Sequence, residues 1–255
     1  MAISAPARHP LISRLRRLAD RYPRCYLGAH AIAGILLAIV LLWLFAAIAD
    51  AVPENGRMVL LDRTITAWIQ AHDTEWGETI FSWVSWIGAQ GLVATVVLAA
   101  AWFLRRRERR EAVALVVASA GGGALNALLK LIFHRDRPEF AVEFITRHTY
   151  SFPSGHAMES MATFGMLAYL LLQDEQRPTQ RRLLIAGTLL LVAAIGVSRV
   201  YLGVHYVSDV VGGYVAGAVW LLACIAGYRE VRRRQRERSD DRLRGAATVR
   251  APRVD

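Results

Sequence analysis

Six stretches without a formal charge constrain this 255-residue chain more than any other feature of its sequence. No Asp, Glu, Lys or Arg occurs between Arg24 and Asp50, and none between Glu78 and Arg105. The stretches Ala112–Leu129, Ser160–Gln173, Leu183–Ser198 and Val210–Tyr228 are equally uncharged. Crossing the hydrocarbon core takes roughly 20 apolar residues. The first, second and sixth runs reach that length alone. The other three reach it when their charged ends, near Lys130, Glu159 and Arg199, are counted in. The pattern predicts an all-α fold, a bundle of six transmembrane helices near residues 29–49, 82–104, 112–132, 154–173, 183–201 and 206–228. Runs of this length and purity argue against a soluble helical bundle. The first run also exceeds the roughly 7–15 apolar residues of a secretory signal, so it reads as a retained anchor.

The net charge of +10 is distributed topologically. Arginines cluster at Arg8, Arg14, Arg16, Arg17, Arg21 and Arg24, in the run R-R-R-E-R-R at 105–110, at Arg177, Arg181 and Arg182, and from Arg229 onward. With six spans, all four clusters fall on one side, and the positive-inside rule makes that side the cytoplasm. The chain then divides into an Arg-rich cytoplasmic segment (1–28), a six-span membrane domain (29–228) and an Arg-rich, partly helical cytoplasmic tail (229–255). Both termini are then expected to be cytoplasmic. Because topology accounts for the basic clusters, no nucleic-acid partner is expected; the oligomeric state is unknown at this level. Cys25 and Cys224 suit neither a disulfide framework nor a metal site. After the first span, Leu61, Ile65, Trp68 and Ile69 share one helical face, and Trp76, Trp83 and Trp86 follow. Such residues suit an outer interfacial belt.

Ionisable groups near a membrane are costly, so their placement is informative. Lys130 ends the third span, Ser154 and His156 open the fourth, Arg199 ends the fifth, and His205 and Asp209 open the sixth. Since successive spans alternate in direction, all of these gather at the outer face. Lys130 is the only lysine in the chain. A compact ammonium is thus used at one position in a chain that otherwise uses guanidinium, which points to a point charge in a site. In the stretch S-F-P-S-G-H at 151–156, Pro153 sets an extended backbone, Ser154 is a natural N-cap, and Gly155 allows close approach of a ligand. The amides of the helix start suit a phosphate, and His156 sits in the first turn to exchange a proton. Ala157 stands where a capping box would need Glu or Gln, so no side chain reaches back over those amides. His205 and Asp209, four apart, share a helical face, and the carboxylate can fix the imidazole tautomer. Arg137, in the loop H-R-D-R-P-E-F, joins Lys130 and Arg199 to give three cations for phosphate oxygens.

Together these residues resemble the type 2 phosphatidic acid phosphatase superfamily, the lipid phosphate phosphatases. Its three motifs are matched by Lys130 to Arg137-Pro138 (K-x6-R-P), by Pro153–His156 (P-S-G-H), and by Ser198-Arg199 with His205 and Asp209 (S-R-x5-H-x3-D). The resemblance implies that His205 attacks phosphorus, held by Asp209, to form a phosphohistidine, while His156 protonates the leaving oxygen and then activates water. Lys130, Arg137, Arg199, Ser154 and the Gly155 amide would cradle the phosphate, with no cofactor and no metal. The implied substrate is a membrane lipid mono- or diphosphate: undecaprenyl diphosphate, phosphatidylglycerophosphate, phosphatidate or a phosphorylated lipid A. Glu159 lies outside the motifs and reads as a residue of the water interface. Vanadium-dependent haloperoxidases share the motifs but are soluble, which the six spans oppose. A lipid phosphotransferase would use the same residues, and a lipid-binding or lipid-flipping protein would not need the intact His205–Asp209 pair.

Overall fold

The structure, a computed structural model, describes residues 23–52, 56–139, 150–173 and 177–250. The predicted arginines of residues 1–22 and part of the loop after Pro138 lie outside them. The described residues form eight α-helices and no strand: α1 (Pro23–Ala51), α2 (Arg57–Ala71), α3 (Glu75–Trp86), α4 (Leu92–Arg105), α5 (Arg109–Phe133), α6 (Gly155–Leu171), α7 (Pro178–Tyr201) and α8 (Val207–Arg250). A π-turn, Ile87–Gly91, joins α3 to α4 in one rod. Five helical stretches among the described residues are long and apolar enough to cross a membrane: Ile32–Ala51, Glu75–Arg105, Arg109–Phe133, Pro178–Tyr201 and Val207–Ser239. Their exposed faces carry Leu, Ile, Val and Trp in quantity. The chain is an all-helical, multi-pass membrane protein.

Two spans begin or end where the apolar runs do not. The second starts at Glu75 rather than near residue 82. The hydroxyl of Thr74 accepts the Gly77 N–H at 3.1 Å, and Glu75 and Glu78 occupy the first turn, where the helix dipole favours negative charge. The last helix does not stop at the membrane but runs on to Arg250. Its polar part is laced by Glu230, which pairs with Arg233 at 3.0 Å and Arg234 at 2.7 Å.

α6, 17 residues or about 26 Å, is shorter than the five membrane-length stretches and the most enclosed of the helices. Ala157, Met158, Ala162, Phe164, Met166, Ala168 and Leu170 are buried on it, because α4, α5, α7 and α8 all pack against it. Close approach to α8 depends on glycine. A Cβ on Gly213 would lie 2.6 Å from the Ser154 carbonyl oxygen, and one on Gly217 2.5 Å from that of Met158. Small residues are the usual means of helix association where lipid is as apolar as leucine. Near the start of α6, Phe45, Phe133 and Phe152 cluster with centroids 5.2–5.9 Å apart, Phe133 edge-on to the other two, tying α1 and α5 to the segment that precedes α6.

The arginines of the α4–α5 turn, of the start of α7 and of the polar half of α8 gather at one end of the bundle. Arg110, Arg232 and Arg236 line a common cleft there, and Arg181 donates to the Leu172 carbonyl at 3.2 Å. The ends of α5 and α7 and the starts of α6 and α8 form the other end. On α2, Leu61 and Trp68 are exposed and Ile65 largely so, while Asp62 and Thr66 are buried. Trp76, Trp83 and Trp86 are exposed as well, as a belt of aromatic residues would be.

Gly213→Ala is expected to destabilise the protein by about 1–3 kcal/mol through overpacking against Ser154. Gly34→Ala, where nothing lies within 4 Å, should be neutral or slightly stabilising. Thermal unfolding of the two detergent-solubilised variants beside the wild type measures the difference.

Candidate active site

The last turn of α7 and the first of α8 are joined by a tight connection. Gly203 takes a left-handed φ of 65°, which lets the N–H groups of Val204 and His205 both reach the Arg199 carbonyl at 3.2 Å. Arg199 and His205 are thereby fixed relative to each other. The Ser154 N–H donates to the Asp209 carbonyl at 3.0 Å, which docks the P-S-G-H turn on the start of α8. The preceding Phe152–Pro153 peptide bond is cis. On the other side, the Ser151 N–H donates to the Arg135 carbonyl at 2.7 Å, and Lys130 Nζ donates to the Tyr150 carbonyl at 2.6 Å. These bonds bring the loop after α5, the segment before α6 and the α7–α8 turn into one constellation.

His205 is buried in the turn that precedes α8. Its Nε2 lies 3.3 Å from an Arg137 nitrogen, and Arg137 also donates to the Val204 carbonyl at 2.8 Å. A guanidinium can only donate, so Nε2 carries a lone pair and the ring proton is on Nδ1. Burial, with Asp209 opposing it, holds His205 below the usual histidine range, so the ring is neutral at pH 7. A neutral imidazole with its lone pair aimed at a cation is a nucleophile facing the place an anion would occupy.

Asp209 has no exposed surface. Its Oδ1 accepts from Arg135 at 2.5 Å, and its Oδ2 accepts from the Tyr206 N–H at 2.8 Å and from the Ser151 hydroxyl. Its Oδ2 is 3.5 Å from His205 Nδ1, while Ser151 Oγ is at 3.3 Å from the same nitrogen. The expected His205–Asp209 pair is therefore present but interleaved with Ser151. Burial disfavours the charge on Arg135, yet Asp209 and Asp62 outweigh it and hold its pKa above the ordinary value. Burial lowers that of Arg137.

Ser154 stands at the N-cap of α6, but its hydroxyl caps nothing: it is buried and, like Arg199 Nε, has no hydrogen-bond partner among the described residues. The N–H groups of the first turn of α6, Gly155 and His156 included, point out of the same helix end. Buried unpaired donors are costly, and an anion in this cradle would satisfy them. Arg199 also bonds to the Ser85 hydroxyl, just before the π-turn. His156 packs beside that turn, since a Cβ on Gly88 would lie 3.2 Å from its ring. Asn126 holds the cradle from α5, donating to the Pro153 carbonyl at 3.1 Å. Glu159, expected at the water interface, is half-buried against Gly123 and Gly155.

Sequence reasoning missed Asp62, Ser85, Asn126, Arg135, Ser151 and Ser208. Arg135 and Ser151 lie inside stretches already singled out, at 134–140 and 151–156. Asp62 carries a weaker signal, a lone carboxylate beside an apolar helix face. Ser85 and Asn126 carry none.

Residues 111–233 match the model of the PAP2 superfamily, and that stretch contains all eight predicted site residues. Phosphatidylglycerophosphatase B of Bacillus subtilis (strain 168) is 36% identical over 117 residues, 45% of this chain. The match spans 56% of that relative's own length. The crystal structure of the first transmembrane PAP2 type phosphatidylglycerolphosphate phosphatase from Bacillus subtilis aligns over 76% of this chain and 96% of that one. Its TM-score is 0.70 at 24% identity, a likeness of fold. The crystal structure of Aquifex aeolicus LpxE aligns over 65% of this chain and 95% of that one, with a TM-score of 0.47 and 18% identity.

Inorganic phosphate is expected to raise the melting temperature of the purified protein, since a ligand of the folded state alone stabilises it. Arg199→Gln should remove most of that increase, as read by thermal unfolding over a phosphate titration.

Proposed function

Because the chain belongs to the PAP2 superfamily, we propose that it is a membrane-embedded, metal-independent lipid phosphate phosphatase acting through a phosphohistidine. One observation carries this: the lone pair of buried His205 faces a guanidinium at 3.3 Å, in a cradle where the Ser154 hydroxyl and Arg199 Nε have no partner among the described residues. The lone pair of Nε2 attacks phosphorus in line, and the bond from phosphorus to the lipid oxygen breaks as His156 delivers a proton to that oxygen. The Nδ1 proton and the Asp209 carboxylate support the positive charge that the ring acquires. Water then attacks phosphorus as His156 takes its proton, the P–N bond breaks, and orthophosphate leaves with His205 neutral again. Lys130, Arg137 and Arg199 neutralise the non-bridging oxygens, and Ser154 and the Gly155 N–H complete the cradle.

The membrane sets the orientation. We read α6 as a sixth span, short because helices rather than lipid surround it. The arginine-rich end is then cytoplasmic by the positive-inside rule, with both termini, and the site opens at the outer face of a bacterial plasma membrane. Phosphate at that level leaves the substrate's tails in lipid. A lipid mono- or diphosphate fits, and phosphatidylglycerophosphate leads the panel, since the relative with 36% identity is a phosphatidylglycerophosphatase. Undecaprenyl diphosphate, phosphatidate and a phosphorylated lipid A complete it.

Phosphate release from that panel, with chelator present, tests the function. His205→Ala should lose at least ~10³-fold in turnover while remaining folded. No release from any lipid by the wild type would favour a phosphotransferase or a lipid-binding protein, and phosphate transfer to an added acceptor lipid separates those two. Lys130→Arg keeps the charge but exchanges a compact ammonium for a fork. Activity should fall at least about tenfold; full activity would remove the special role of the lone lysine.

A further inference from the structure

We propose that Asp209 orients His205 through Ser151, and that Arg135 and Asp62 hold Asp209 in turn. On the phosphatase function proposed above, on which this rests, Ser151, Arg135 and Asp62 are positioning residues. None of the three belongs to the matched motif positions.

The geometry runs in one direction. His205 carries its proton on Nδ1, because Arg137 can only donate to Nε2. The nearer partner of Nδ1 is Ser151 Oγ at 3.3 Å; Asp209 Oδ2, at 3.5 Å, is at the edge of hydrogen bonding. Ser151 spends its own proton on Asp209 Oδ2, so the lone pairs of its oxygen remain for the Nδ1 proton. A hydroxyl that must donate to a carboxylate can only accept from the ring, and this selects one tautomer. Asp209 does not turn away from this task, because Arg135 grips Oδ1 at 2.5 Å and the Tyr206 N–H grips Oδ2 at 2.8 Å.

Arg135 is itself shared. Its second nitrogen donates to Asp62 Oδ2 at 2.8 Å, and its first also reaches the Ser208 hydroxyl at 2.7 Å. The Ser208 N–H donates to Asp62 Oδ1 at 3.0 Å, and the Ser208 hydroxyl bonds to Asp62 Oδ2. Asp62, Arg135 and Asp209 are all buried, so two carboxylates divide one guanidinium in a poorly screened place. Without Asp62, the whole charge of Arg135 would fall on Asp209. With it, Asp209 keeps net negative charge for the moment when Nε2 bonds to phosphorus and the ring becomes positive. Asp62 thus acts on turnover across four groups, from a helix that reaches no substrate atom through it.

The experiment uses the full-length protein in lipid nanodiscs, labelled with ¹⁵N-histidine, His205 being assigned by its loss in His205→Gln. Two readouts are taken: the tautomer of His205 by ¹⁵N NMR, and kcat and KM on a lipid phosphate that the wild type hydrolyses. In the wild type the Nδ1-protonated form should dominate. Ser151→Ala should raise the Nε2-protonated fraction and lower kcat at least tenfold with KM within twofold, and Ser151→Thr, which restores the hydroxyl, should recover both. Asp62→Asn, similar in size but uncharged, should lower kcat about tenfold with KM unchanged. An unaltered tautomer and kcat in Ser151→Ala would overturn the relay, and so would a rise in KM alone. Full kcat in a folded Asp62→Asn would overturn the charge-sharing role. Should Asp62→Asn not fold, as judged by gel filtration, the Ser151 pair decides. A wild type that hydrolyses no lipid phosphate would refute the phosphatase function, whereas the tautomer comparison would still decide the positioning.

Discussion

A carboxylate with no contact with solvent, Asp209, is the constraint around which the polar end of this bundle is built. Burying an ion costs several kcal/mol after relaxation, and the cost is met only if every lone pair finds a partner. Asp209 draws one donor from the loop after α5 (Arg135), one from the segment before α6 (Ser151) and one from its own helix start (the Tyr206 N–H). Its backbone carbonyl holds the P-S-G-H turn through the Ser154 N–H. A single residue therefore reaches three chain segments, which the Ser151 N–H to Arg135 carbonyl bond and the Lys130 and Arg137 side chains also tie together. That is why His205 and the cradle residues come together although their positions in sequence span residues 130–209.

The bundle below serves the same end by a different force. Between helices in lipid there is little hydrophobic drive, so close packing must do the work. The glycines of α8 facing α6 bring its backbone against the Ser154 and Met158 carbonyls, and the phenylalanine cluster of Phe45, Phe133 and Phe152 fills the space beneath the turn. The start of α6 and His205 before α8 are held at fixed separation by backbone contact rather than by long side chains. Electrostatic stabilisation of a developing charge depends on such preorganisation.

Much of this was legible in the sequence, and the rest was hidden for definable reasons. The charge-free runs disclose the helices because a span must be apolar along its whole length. The boundaries shift where a cap outweighs hydropathy, as Thr74 does at the start of α3. The candidate residues at 130, 137, 156, 199, 205 and 209 stood out because ionisable types are expensive near a membrane. Ser154 and Gly155 stood out because they open a helix in P-S-G-H. The structure gathers all of them at one end of the bundle. Ser151 and Arg135 stood in plain view within the same stretches, but a serine or a second arginine in a loop has no periodicity to betray its partner. Ser85 and Asn126 could not be found at all, since one polar residue in an apolar span looks the same whether it bonds to Arg199 and the Pro153 carbonyl or to nothing.

The helix α2, whose apolar face was legible but whose buried carboxylate was not, is informative for that reason. In a water-soluble protein an amphipathic helix turns its apolar face to the core and its polar face to solvent. α2 departs from this on both sides: Leu60, Leu61 and Trp68 look outward, as does Arg63, while Asp62 and Thr66 are buried beside Val59. Such an arrangement suits a membrane surface, where lipid accepts the outward leucines and tryptophan and the protein offers Arg135 and the Ser208 N–H to the Asp62 carboxylate. Removing the lipid would leave the outward face without a partner, while the inward face would still need its own. One helix thus carries exposed apolar side chains on one side and, through Asp62 and Arg135, a link to the buried Asp209 on the other, so the outer surface of α2 and the order of the site are parts of one arrangement.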